Sequence, residues 1–178
     1  LASRSGSAAR GGQGLDAQLQ LVGEVAAVLA CDSADTRDTH ALFANTNLLT
    51  GMLHAAGAAD KGLLTNLEAH AMRWMYASKA TGAWYLQCAA ATTPPEARVL
   101  FSSVGSGLGN VGQANYAAGN ACLDAHALSR RARATAACSL QWPLVGGAGM
   151  GAAAFAAMGG RQVATSGLAA ISLEEYAA

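Results

Sequence analysis

Phe101-Ser102-Ser103-Val104, followed by Gly112-Gln113-Ala114-Asn115-Tyr116-Ala117-Ala118-Gly119-Asn120, is the stretch on which the reading of this chain turns. A short apolar run, residues 99–101, ends in a pair of serines, and Tyr116 stands thirteen residues after Ser103 in the first turns of a segment rich in helix formers. In a parallel sheet, ligands gather outside the carboxyl ends of the strands, which places Ser103 toward such a crevice. Tyr116 and Asn120 are four apart and therefore share one helical face. Three polar side chains can thus converge on a single point.

Working outward, residues 26–30, 48–53 and 136–142 read as further strands, and residues 1–3 as the tail of another. Helix formers fill residues 15–25, 63–90 and 115–134. Strands alternating with helices predict an α/β fold with a doubly wound parallel sheet, Rossmann-like in architecture. Residues 6–14 read as a loop: Gly11, Gly12 and Gly14 do not make the G-x-G-x-x-G spacing, and no apolar strand immediately precedes them. Residues 146–160 form a second glycine-rich stretch, by composition a flexible loop, the alternative being a cover over a bound ligand.

Of the 178 residues, 52% are hydrophobic and 12% charged, enough apolar content for one domain with a true core. Eleven basic residues balance eleven acidic ones, which argues against nucleic acid or an anionic membrane surface as partner. No apolar run approaches the roughly 20 residues of a membrane span. Cys31, Cys88, Cys122 and Cys138 show no metal-ligand spacing and are expected to be buried thiols in a reducing compartment, so no metal site is expected. His40, His70 and His126 have no partner pattern, Asp124, Arg130, Arg131 and Arg133 read as a solvated helix face and end, and Trp74, Trp84 and Trp142 as packing groups.

The chemistry that suits a serine beside a tyrosine is reduction of a ketone by hydride transfer. The developing alkoxide needs hydrogen-bond donors and then a proton, and the two hydroxyls supply both. A free phenol has a pKa near ~10, so a neighbouring cation that favours phenolate brings it closer to working pH. Lys79, in the helical segment before the Ser103 strand, is the candidate.

Lys79, Ser103, Tyr116 and Asn120, in this order and at these spacings, resemble the ketoreductase domains of polyketide synthases, a branch of the short-chain dehydrogenase/reductase superfamily. Simple members of the superfamily place lysine four after the tyrosine, where this chain has Asn120. The resemblance implies Tyr116 as proton donor, Ser103 as the group holding the carbonyl oxygen, Lys79 tuning Tyr116, and Asn120 positioning the site or a relay water. It also implies NADPH as cofactor. Ser3 and Arg4 resemble the strand end whose arginine grips the 2′-phosphate, a job suited to a guanidinium. Cys31-Asp32-Ser33 resembles the adenine-contacting segment, and His54-Ala55-Ala56-Gly57 the turn beside the cofactor ribose. Ser102, Lys79 and Tyr116 complete the implied cofactor contacts.

The substrate so implied is a β-ketoacyl thioester tethered to the phosphopantetheine of an acyl carrier protein, the other domains of one cytoplasmic synthase being further partners. Residues 1–178 are expected to be a partial ketoreductase domain, missing the family's first strand and its glycine-rich pyrophosphate turn. The isolated chain is accordingly expected to bind NADPH poorly. Ala59-Asp60-Lys61 and Leu108 match neither fingerprint of product configuration, and Trp142-Pro143-Leu144-Val145 departs from the family's substrate-side wall. Ser172-Leu173-Glu174-Glu175 reads as a helix start. Two rivals remain: a non-catalytic bracing domain of a synthase, and a stand-alone short-chain dehydrogenase.

Overall fold

Leu100 and Leu123, both fully buried, meet Ala83 and Ala127 at the centre of the molecule. In the computed structural model, which describes residues 1–7, 15–23, 26–46, 49–58, 62–109, 111–146 and 170–177, this cluster joins the middle strand of a sheet to two helices. The strand, β4 (Ala97–Ser103), buries Arg98, Leu100 and Ser102 and leaves Val99, Phe101 and Ser103 half-buried, the alternation that a pleated strand imposes. Each buried leucine contributes roughly 2 kcal/mol.

All described strands run parallel, but in two sheets. β1 (Ala2–Ser3) pairs with β2 (Leu29–Ala30), while β3 (Gly51–His54), β4 and β5 (Ala137–Trp142) form a second sheet in that order. Parallel neighbours need crossovers, and helices supply them. α1 (Leu15–Val22) lies between β1 and β2 in sequence, and α2 (Thr36–Ala44) between β2 and β3. After a 3₁₀ turn at Leu64–Asn66 comes α3 (Ala69–Tyr76), which runs through a π-helical turn, Ala77–Thr81, into α4 (Gly82–Ala89). β4 leads into the short α5 (Gly105–Leu108), then α6 (Ala114–Arg131) and β5; α7 (Leu173–Ala177) comes last.

The α/β architecture and its parallel strands agree with the sequence reading; several boundaries do not. The strand expected over residues 26–30 forms only at Leu29–Ala30, that over 48–53 becomes Gly51–His54, and that over 99–101 extends to Ala97–Ser103. The helix expected over 63–90 starts at Ala69. Helix α2 was not foreseen, although Asp35 caps it by accepting from the amides of Arg37 at 2.7 Å and Asp38 at 3.2 Å. At α7, Ser172 Oγ accepts from the Glu175 amide at 3.1 Å, and Glu175 Oε2 accepts from the Ser172 amide at 2.7 Å. This reciprocal pair is the cap expected at Ser172 to Glu175. Residues 8–14, 59–61 and 147–160, on which loop and fingerprint readings fell, lie outside the described residues.

The four cysteines are free, and only Cys31 is buried; Cys88 is exposed, against expectation. Trp74 and Trp84 are also largely exposed, whereas Trp142 stacks between Phe101 and Tyr176. No helix among the described residues is long and apolar enough to cross a membrane.

Candidate active site

Helix α6 buries Asn115, Gly119, Asn120, Leu123 and Ala127, a stripe that faces the second sheet and carries polar groups in with the apolar ones. Lys79 reaches the same place from the π-helical turn between α3 and α4. π-turns recur at functional sites because they re-aim a side chain within an otherwise regular helix. The two segments pack closely at Gly119, where a Cβ would stand 3.6 Å from Lys79 Cβ, an ordinary contact.

Lys79 is 3% exposed, and its Nζ donates to the Phe101 carbonyl of β4 at 3.1 Å. The same ammonium lies 5.6 Å from the centroid of the Tyr116 ring, within cation–π range. Burial lowers the lysine from 10.5 to about 8, opposed by the negative charge of Asp124. Asn120, also fully buried, donates from Nδ2 to the Tyr116 carbonyl at 2.9 Å, and its own carbonyl accepts from Ser102 Oγ at 3.3 Å. Asn120 Oδ1 is buried with no hydrogen-bond partner among the described residues. An orphaned acceptor of this kind marks a place where a water or ligand donor belongs.

Ser103 ends β4, and its Oγ accepts from the Gly105 amide at 3.2 Å at the turn into α5. From there the chain folds toward α6, because Ser106 of α5 donates to Asp124 of α6 at 2.6 Å. Thus Lys79, Tyr116 and Asn120 are brought into contact, and Ser103 sits two residues beyond the carbonyl that holds Lys79. His54, at the end of β3, is buried, and burial lowers it to about 4, so it is neutral at ordinary pH.

Of the residues expected on the cofactor side, those other than Lys79 and Tyr116 lie at or just beyond the carboxyl ends of strands. Ser3 closes β1, with its Oγ donating to the Ser7 carbonyl at 2.7 Å, and Arg4 follows, exposed. Asp32 follows β2 and accepts from the Ala34 amide at 2.9 Å. Ser33 lies against Gly82 of α4, where a Cβ would come within 2.6 Å of its hydroxyl. Ala55, Ala56 and Gly57 extend from β3, and Ser102 lies at the end of β4. Small and hydroxyl side chains thus follow β1, β2 and β3 and end β4, with the Arg4 guanidinium exposed after β1.

Asp124 is the residue that sequence reading misplaced. It is half-buried at the centre of a hydrogen-bond network rather than on a solvated face. The signal was present, since Asp124 follows Tyr116 and Asn120 at intervals of eight and four on one helix.

Parallel strands joined by helices, with lysine, tyrosine and asparagine brought together beside β4, give the chain a Rossmann-like α/β architecture. More narrowly, the profile of the KR domain matches residues 1–147, and the chain belongs to the ketoreductase domains of polyketide synthases. Polyketide synthase GfsA of Streptomyces halstedii is 44% identical over 147 residues, covering 81% of this chain and 2% of that protein. The spectinabilin polyketide synthase system protein NorB of Streptomyces orinoci is 38% identical over 98% of this chain and 8% of its own length. Among solved structures, A-type ketoreductases from a modular polyketide synthase align with a TM-score of 0.83 at 35% identity, over 98% of this chain and 37% of theirs. The ketoreductase from the first module of phoslactomycin biosynthesis in Streptomyces sp. HK803 aligns with the same TM-score at 31% identity, over 99% and 41%. The chain therefore spans a small part of the curated relatives it matches.

Proposed function

We propose that, within its full-length protein, this chain reduces the β-keto group of an acyl thioester carried on an acyl carrier protein, with NADPH as cofactor. The observation that carries this reading is the buried Lys79 ammonium, fixed on the Phe101 carbonyl and set 5.6 Å from the Tyr116 ring. Bound at the carboxyl edge, the nicotinamide would supply a hydride to the ketone carbon. Ser103 would hold the carbonyl oxygen by its hydroxyl, and Tyr116 would give its phenolic proton to the oxygen as negative charge develops there. Lys79 would favour the phenolate left behind. Asn120 would fix the backbone of Tyr116 through Nδ2 and offer Oδ1 to a relay water. On the cofactor side, Ser3 and Arg4 would take the 2′-phosphate, Asp32 and Ser33 the adenine end, Ala55 to Gly57 the ribose, and Ser102 the strand end nearest the ring.

A bracing role without catalysis gives no reason to bury a lysine at the cost of desolvation, and the arrangement of Lys79 therefore favours the enzyme. The test is turnover of a β-ketoacyl thioester surrogate with NADPH by the full-length protein and its Tyr116→Phe variant. A loss of roughly a hundredfold or more is expected; equal turnover would remove Tyr116 from the mechanism.

A further inference from the structure

The carboxylate of Asp124 collects three donors from two separate elements. Ser106 Oγ of α5 reaches Oδ2 at 2.6 Å, Ser139 Oγ of β5 reaches Oδ1 at 2.6 Å, and Gln141 Nε2 of β5 reaches Oδ2 at 2.8 Å. Gln141 also donates to Ser106 Oγ at 3.0 Å, closing the ring. Burial pushes the Asp124 carboxyl up, and the hydrogen bonds from Ser106, Ser139 and Gln141, joined by Ser102, outweigh it and hold the carboxyl below its ordinary range. Among the described residues no lysine or arginine forms an ion pair with it.

The donors surround one point of the fold. Ser106 lies three residues after Ser103, and Gln141 is in register with Ser102 across the β4–β5 pair. Asp124 lies on the same face of α6 as Tyr116 and Asn120. We propose, building on the catalytic reading above, that Asp124 is a positioning residue of the reductase site: it locks the helix bearing Tyr116 and Asn120 to the elements that flank Ser103, and sets a carboxylate on the helix face that carries Tyr116.

The electrostatic half follows from what surrounds Lys79. β3 presents His54, β4 presents the Phe101 carbonyl, and α6 presents Tyr116 and Asp124. His54 is neutral near pH 7, so Asp124 is the charged group that opposes the desolvation of the lysine. Neutralising it lets Lys79 lose its proton at lower pH.

The proposal is tested in the full-length protein with Asp124→Asn, which preserves shape while removing the charge. The expected result is a kcat lower by roughly tenfold or more, with KM for NADPH within about twofold. The alkaline limb of the pH–kcat profile should move down by about half a pH unit or more. Ser106→Ala, which removes one tether and keeps the charge, should lower kcat without moving that limb, and it decides the geometric half should Asp124→Asn melt below assay temperature. Titration of the Lys79 ammonium by ¹⁵N NMR should show the same downward displacement in Asp124→Asn. An unmoved limb and an unmoved lysine titration overturn the proposal, as does a Ser106→Ala variant with unchanged kcat. Absence of turnover in the wild type would defeat the reductase reading instead, and the lysine titration tells the two failures apart.

Discussion

In its proposed catalytic place Lys79 is buried at the expense of stability, and the sign of that trade is fixed by its proton. In the unfolded chain a lysine keeps its proton up to about pH 10.4, whereas in the fold burial brings Lys79 down to about 8. Between these values the unfolded state binds more protons, so stability rises with pH across that window. Below pH 8 the residue is charged in both states, and its burial costs about 3 kcal/mol as an upper figure. Lys79→Met should therefore raise the urea midpoint at pH 7, by about 1–3 kcal/mol in stability, while reductase activity collapses. At pH 10.5 the gain should shrink toward zero. Equal or lower stability of Lys79→Met at pH 7 would show that the hydrogen bond to Phe101 and its neighbours repay the desolvation after all.

At the scale of elements, two glycines on helices α4 and α6 should respond differently to one added methyl group. At Gly119 a Cβ would meet Met75 Cγ at 3.5 Å and Lys79 at 3.6 and 3.7 Å, ordinary contacts, so Gly119→Ala should be neutral or should stabilise by up to about 1 kcal/mol through helix propensity. At Gly82 the same atom would fall 2.6 Å from Ser33 Oγ and 3.2 Å from Ser33 Cβ. Rotating the hydroxyl relieves the first contact but not the second, so Gly82→Ala should cost about 1–2 kcal/mol and displace the segment after β2. Paired thermal melts check this, and a stabilising Gly82→Ala would contradict the close approach of α4 to Ser33. Such packing was not readable in the linear chain. What was readable was periodicity and spacing: Ser103, Tyr116 and Asn120 fell on a strand end and a helix face, and α6 was placed to within a few residues. Helix α2 was missed because Thr36–Ala44 has little apolar pattern and is defined by its Asp35 cap, and α5 because two of its four residues are glycine. The π-turn that aims Lys79 and the network around Asp124 depend on contacts between elements, which no local pattern encodes.

Across the whole molecule, the residues proposed to hold NADPH are divided between two sheets. Ser3, Arg4, Asp32 and Ser33 belong to the pair β1–β2, whereas Ala55 to Gly57, Ser102, Lys79 and Tyr116 belong to the elements around β3-β4-β5. The first group rests on a ladder of two residues per strand, with Leu1 67% and Leu29 40% exposed, and two-stranded sheets of that size are marginal in water. The second rests on six paired residues between β4 and β5 and on the core around Leu100 and Leu123. Among the described residues, helix α2 packing on α4 and Ser33 lying against Gly82 tie the halves together, but no strand pairs β1 with β3. Binding a dinucleotide across both would require ordering the weaker half, and that ordering is subtracted from the binding free energy. The 178-residue chain expressed alone should therefore show NADPH fluorescence that does not saturate below roughly millimolar concentration. Amides of β1 and β2 should exchange with deuterium far faster than those of β4. Saturable micromolar binding by the isolated chain would mean that the two sheets already act as one platform, and the division between them would have no functional weight.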